Sequence, residues 1–137
     1  MSFEKIELCD LHAEPFAMIG RQWMLVSAEK EGRVNTMTAS WGGMGVMWGK
    51  DVAFVFLRPQ RFTKEFVDAA GRFTLSFYGE EHRADLAYLG RVSGRDEDKI
   101  AKVGFEVCDF DGAPAFTQAE TVLVCRTLSV SYTHLRA

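Results

Sequence analysis

The chain has 137 residues, 47% of them hydrophobic and 26% charged, which suits one domain with its own core and excludes a disordered tail. Its 16 Lys and Arg against 19 Asp and Glu give a formal net charge of -3, excluding the strongly basic profile of a protein built to grip phosphate backbones. A local anion pocket stays open. No stretch reaches the roughly 18 uninterrupted apolar residues of a membrane span. The N-terminus, with Glu4, Lys5, Glu7 and Asp10, lacks the basic-then-apolar pattern of an export signal. Three cysteines (Cys9, Cys108, Cys125), odd in number and without CxxC spacing, point to reduced thiols in a soluble, cytoplasmic protein.

Residues 16–27, rich in Met, Ile, Trp, Leu and Val, read as a first strand, and residues 34–41 as a second with imperfect alternation. Residues 52–57 form a continuous apolar run of strand length, which predicts burial on both faces. A helix over 63–70 carries Phe62, Phe66 and Val67 on one side, with Thr63 as its cap and Gly71 as its stop. Residues 72–78 read as a strand and 80–89 as a helix ending at Gly90. A third helix starts from a capping box of Ser93 and Asp96 and ends at Gly104. Residues 105–108 and 121–128 read as strands, and Cys125 in the second of these predicts a buried, inert thiol. Strands outnumber short helices, and no long-helix βαβ alternation occurs. The expected class is therefore mainly β with short helices, a β-barrel with helical decorations.

Past Leu128 the period is lost, and residues 130–135 match a translated reading frame of a transposase mosaic-end sequence used in library preparation. The expectation is a domain over residues 1–129, a native gene that continues, and a non-native tail over 130–137. His134 therefore carries no functional argument.

Several familiar sites drop out. In the glycine-rich run 41–49, Trp48 stands where a dinucleotide fingerprint needs its third glycine. Gly49-Lys50 is followed by Asp51, so no P-loop forms. His12 and His82 lie far apart without ligand spacing, Asp96 and Asp98 lack the rest of a calcium loop, and no GxSxG occurs. Trp23, Trp48 and the Met-rich loop read as core.

Two segments remain. Arg58-Pro59-Gln60-Arg61-Phe62-Thr63 ends an apolar strand and opens a helix. Two arginines beside a helix N-terminus make an anion pocket suited to phosphate oxygens; the same residues also read as a solvated turn paired with nearby acids. Asn35-Thr36-Met37-Thr38-Ala39-Ser40-Trp41-Gly42 crowds small donors and acceptors beside an aromatic ring. Such a lining can hold a flat polar ring, and it also reads as an ordinary edge strand.

These two segments, followed by Phe73-Thr74-Leu75-Ser76-Phe77, Tyr88-Leu89-Gly90 and Ser93-Gly94-Arg95-Asp96-Glu97-Asp98-Lys99, resemble the flavin reductase-like family in its own order over residues 15–128, nearest its flavoredoxin-type branch. The resemblance implies an FMN-binding split β-barrel, a homodimer with flavin near the subunit interface. It implies that Asn35, Thr36, Met37, Thr38, Ala39, Ser40 and Trp41 line the isoalloxazine and ribityl chain. Arg58, Gln60, Arg61 and Thr63 would address the phosphate, and Ser76 with Phe77 would border the same pocket. Family members continue for further strands where this chain has its tail, so the barrel is expected to be incomplete at that end.

The activity so implied passes hydride from NAD(P)H through FMN to flavin or another acceptor. The flavin carries the redox chemistry, so no catalytic side chain and no metal is expected; donors at Thr38, Ala39 and Ser40 would favour the reduced, anionic ring. Two other readings stay open. One is an electron carrier without a nicotinamide site, serving a protein acceptor. The other is a flavin-free nucleic-acid-binding barrel using Arg58, Arg61, Phe54, Phe56 and Phe62, against which the acidic net charge argues.

Overall fold

The computed structural model describes residues 3–131; residues 132–137, His134 among them, lie outside the described residues. In chain order the elements are β1 (Met24–Lys30), β2 (Arg33–Ala39), β3 (Gly42–Met47), β4 (Lys50–Val55), α1 (Phe62–Ala70), β5 (Arg72–Phe77), α2 (Arg83–Arg91), α3 (Lys99–Val103), β6 (Val107–Phe110), β7 (Ala113–Phe116) and β8 (Thr121–Arg126). The class is mainly β with short helices, as expected. Among the described residues no helix is long and apolar enough to cross a membrane.

Three two-residue turns organise the strands. Glu31-Gly32, Trp48-Gly49 and Asp111-Gly112 all hold both residues at positive φ, the form whose twist matches the strands it joins and which a second-position glycine adopts without strain. They close the hairpins β1–β2, β3–β4 and β6–β7. The first hairpin extends into an antiparallel sheet of order β2-β1-β5-β8, aligned along Thr38, Leu25, Ser76 and Val122.

Alternation sends this sheet's side chains into two cores. On one face Met24, Val26, Met37, Leu75 and Phe77 pack against Phe66 and Val67 of α1, Ile19, and Met44 and Val55 of the β3–β4 ribbon. On the other, Leu25 packs with Tyr78, Leu86, Leu89, Phe105 and Phe116. That second face also carries buried hydroxyls, each partnered. Ser27 and Thr36 share a bond of 2.8 Å, Thr36 donates to the Val26 carbonyl at 3.1 Å, and Thr74 donates to the Pro114 carbonyl at 2.7 Å.

Several expectations need correction. Residues 16–21 are not strand: Phe16–Arg21 is a π-helical turn, opened by Pro15 and held by the Glu14 carboxylate accepting from the Ala17 amide at 2.9 Å. The run 52–57 is not buried on both faces. One face of the β3–β4 ribbon lies bare, with Phe54 41% and Phe56 just beyond it 63% exposed, and Trp48 in the ribbon's turn is 69% exposed. Trp48 is thus not core, and Trp23 is half-buried beneath the Arg83 guanidinium. Helix α2 runs through Gly90 instead of stopping there. Asp98, not Ser93, caps α3 by accepting from the Ala101 amide at 3.2 Å; the Ser93 hydroxyl accepts from the Arg95 amide at 3.1 Å in the preceding turn. Strands β6 and β7 replace the single short strand read over 105–108. Cys125 is half-buried, and burial pushes its thiol up to about 11, which keeps it protonated and unreactive.

Candidate functional site

The C-terminal carbonyls of a helix have no partners within it and carry the negative end of its dipole. At the end of α2 they are taken by side chains from other segments. Arg61, at the α1 entry, donates to the Gly90 carbonyl at 3.3 Å, and one turn earlier in the helix the Thr38 hydroxyl of β2 donates to the Leu86 carbonyl. The Lys99 ammonium of α3 spans the Leu89 carbonyl at 2.8 Å and the Val92 carbonyl at 2.7 Å. Just beyond, Arg33 donates to the Gly94 carbonyl. Gly94 itself presses on the Asn35 amide oxygen, leaving no room for a side chain there. Three segments distant in sequence are thereby locked around one helix end.

Lys99 is only 2% exposed. Burial, and then the neighbouring Arg61 charge, push its ammonium down to about 8. Arg61 is itself lowered from the usual guanidinium value, by burial first and by Arg58 second. Arg58 lies over the Trp41 ring, 5.3 Å from its centroid, and Trp41 is 56% exposed. Helix α1 begins at Phe62 with Arg61 as its cap residue and no side-chain cap bond. The Lys64 amide donates to the Arg61 carbonyl at 3.2 Å, and the positive dipole end, with no side chain capping it, faces an anion site.

A cleft of about 390 Å³ runs between this α1 entry, with Arg61 and Phe62, and the α2–α3 segment, with Arg91, Ser93, Arg95 and Asp96. Arg95 is neutralised by Glu65, and its guanidinium also donates to the Gln60 carbonyl at 3.2 Å. Among the described residues no carboxylate pairs with Arg58, Arg61, Arg91 or Lys99. A second cavity of about 250 Å³, beside Tyr78, Arg83 and Glu120, contains none of the sequence-predicted residues.

The structure thus gathers part of the predicted set. Asn35 donates to the Thr63 hydroxyl at 2.9 Å, and Thr38, Arg58, Gln60, Arg61 and Trp41 cluster near the cleft by the contacts above. Thr63 is buried inside the first turn of α1, so it does not cap the helix as expected. Ser40 is half-buried where β2 ends. The side chains of Thr36, Met37, Ala39, Ser76 and Phe77 are buried in the two cores; the Ser76 hydroxyl bonds the Tyr78 hydroxyl at 2.9 Å. From Thr36, Met37 and Ala39, what can reach a ligand is backbone. Because β2 is the outer strand of its sheet, alternate residues turn their amide and carbonyl away from β1. The sequence reading assigned no role to Lys99 or Arg91. Lys99 follows Asp96, Glu97 and Asp98, a pattern of a solvated turn, and only the fold shows it buried.

The flavin reductase like domain model matches residues 16–135. The chain belongs to this family. None of the curated proteins matches it. Among solved structures it is similar to an FMN-binding domain of a flavin reductases-like enzyme from Shewanella baltica OS155, with 22% identity, a TM-score of 0.73, and 85% of this chain and 62% of that one covered. It is similar to flavoredoxin from Methanosarcina acetivorans, with 23% identity, a TM-score of 0.75, and 82% and 60% covered. An FMN-binding protein from Thermus thermophilus, solved with p-hydroxybenzaldehyde, gives 24% identity, a TM-score of 0.74, and 98% and 74% covered. The fold is thus that of the flavin reductase-like barrels, and the chain spans about 60% of the length of the first two structures.

Proposed function

We propose that this domain holds FMN by its phosphate at the α1 entry and passes electrons from NAD(P)H through it to flavin or another acceptor, in a cytoplasmic homodimer. The observation that carries the reading is the set of cations without carboxylate partners, Arg58, Arg61 and Lys99, beside an uncapped helix N-terminus. Crowded like charges cost stability unless an anion offsets them, and a phosphate monoester brings about two negative charges and three acceptor oxygens. Planar guanidinium forks suit those oxygens. The residues present also fit the rest of the group: the exposed Trp41 ring offers a stacking surface, and Ser40 and the free β2 backbone edge offer donors for ring heteroatoms. FMN, when bound, supplies reversible one- and two-electron chemistry. The protein's part is to anchor it, orient it and set the charge around it.

The homodimer reading is supported by the exposed apolar side chains of the β3–β4 ribbon, with Phe54 and Phe56 along one face and Trp48 in its turn.

The test is an absorption spectrum of purified protein after FMN is added and the excess removed. Retention of about one flavin per chain, bleached by NADH or NADPH, supports the full reading. Retention without bleaching leaves an electron carrier for a protein acceptor. A folded protein that retains no flavin overturns the FMN reading, and a salt-dependent gel shift then tests the nucleic-acid alternative.

A further inference from the structure

The cavity beside Tyr78 shares no lining residue with the α1 entry, and it holds charges of both signs that do not meet. It lies where the end of β5, the first turns of α2 and the start of β8 come together. Arg83, Glu80 and Glu120 all line it, yet among the described residues the guanidinium forms no ion pair with either carboxylate. Arg83 is held elsewhere: its guanidinium lies 3.3 Å from the centroid of the Trp23 ring and donates to the Arg21 carbonyl. Those contacts fix its position and leave most of its five N–H donors unused.

Glu120 is tied down by its backbone, whose amide donates to the Phe77 carbonyl at 2.8 Å, and its carboxylate reaches over Gly79. A Cβ at Gly79 would stand 2.7 Å from a Glu120 carboxylate oxygen and against the Glu81 carboxylate as well. Gly79 has an ordinary φ of -71°, so its backbone does not require glycine. What the missing side chain provides is an open spot beside acidic groups. Beneath it, Tyr78 and Leu86 belong to the second core, 4% and 1% exposed, so the floor is rigid. The cavity, about 250 Å³, is smaller than the roughly 300–1,000 Å³ of pockets that take drug-sized ligands. That is room for a small metabolite and not for a nucleotide. An anion would meet only Arg83 there, and a cation only the carboxylates. A ligand that carries both charges meets both.

We propose that this cavity binds a small zwitterion, an α-amino acid with its carboxylate on Arg83 and its ammonium on Glu80 and Glu120. The site is independent of the flavin reading.

L-Alanine loses its ammonium in propionate and its carboxylate in ethylamine, so titrating the full chain with the three, followed by amide shifts in NMR spectra, tests the site. Alanine is expected to shift the amides of Gly79, Glu80 and Glu120 and to bind about tenfold more tightly than either relative, the value of one charge-assisted contact. Arg83→Gln is expected to bring alanine down to ethylamine without weakening ethylamine. Glu120→Gln is expected to weaken alanine about tenfold without weakening propionate. Because Arg83 also packs on Trp23, Gly79→Ala supplies a variant that spares the fold: its Cβ pushes aside only the ends of exposed glutamates. Its urea midpoint should be unchanged while alanine weakens several-fold. Equal affinity for the three probes, no binding of alanine, shifts confined to other amides, or full alanine affinity in Gly79→Ala would each overturn the proposal. Saturating FMN should leave alanine binding as it was, and displacement by FMN would overturn the proposal by placing alanine in the α1 cleft. A chain that retains no FMN yet binds alanine here refutes the flavin reading and keeps this one.

Discussion

Two polar regions of this small domain are built on opposite plans. On the second face of the main sheet, Ser27, Thr36, Thr74 and Ser76 are fully buried, and each hydroxyl is met by another hydroxyl or a carbonyl within the protein. Around the end of α2, among the described residues, Arg61 and Lys99 are met by carbonyls, and Arg58 and Arg91 by aromatic rings, with no carboxylate at any of them. Neutral hydroxyls paired with each other leave nothing outstanding, so that region serves the fold. A carbonyl satisfies the geometry of a cation but brings no opposite charge. What the cleft lacks, a ligand must bring. Polarity inside a fold thus separates into structural and functional kinds according to where its complement lies.

The sharpest way to break that contrast is to damage the core and watch the cleft. Leu75 is 1% exposed at the centre of the first core. Leu75→Ala should cost about 2–5 kcal/mol in urea unfolding, while FMN affinity per folded molecule is unchanged. Loss of flavin from a variant that remains folded would join the two regions and void the comparison. The converse variant is Arg61→Ala. It should weaken FMN binding about 10- to 100-fold in a fluorescence titration, the loss of one or two charge-assisted contacts. Unfolding should move by less than about 1 kcal/mol, because the lost bond to the Gly90 carbonyl is offset by relief of repulsion with Arg58 and Lys99.

Lys99 sharpens the contrast with a sign. Its ammonium titrates near 8 in the folded chain, below the ordinary lysine value of 10.5. Between those values the unfolded chain binds more protons, so this group's contribution to stability rises as pH climbs from about 8 towards 10.5. Anion affinity runs the other way, since the charge is lost over the same range while the phosphate charge, with its second pKa near 6, is constant. FMN affinity measured at pH 7 and pH 9 should therefore fall several-fold, on the order of one shared charge contact. Lys99→Met should bind weakly with a flat profile. A parallel fall in the variant would place the pH dependence elsewhere.

How much of this was legible in the sequence follows from what each feature depends on. The class and the helix stops at Gly71 and Gly104 are local matters of composition and period, and they read correctly, whereas for residues 35–42 an edge strand and a ring-binding lining both stayed open. The ribbon misread: an apolar run such as 52–57 looks the same whether it faces one core or two, and only the packing of Ala53 and Val55 on the core with Phe54 and Phe56 left exposed decides. Trp48 misread because a bulky residue at positive φ in a hairpin turn defies the usual turn composition. In the site, Arg58 and Arg61 stood out because they lie three residues apart at the start of a helix. Lys99 did not, because its carbonyl partners lie on another helix and no spacing rule links them.

The smallest expected effect tests the structural half of the comparison on its own terms. Thr36→Val keeps the shape of the side chain and removes a hydroxyl that donates to the Val26 carbonyl and shares a bond with Ser27. The variant should lose about 1 kcal/mol in urea unfolding, most of it the cost of leaving the Ser27 hydroxyl buried without its partner. Adding Ser27→Ala removes that orphan, so the double variant should cost less than the sum of the single changes, and the cycle isolates their coupling. FMN affinity should be the same in all of these proteins, although Thr36 stands on the strand that borders the cleft. If Thr36→Val instead weakened FMN and left stability alone, its hydroxyl would belong to the site, and burial with a satisfied partner would no longer distinguish core from function in this domain.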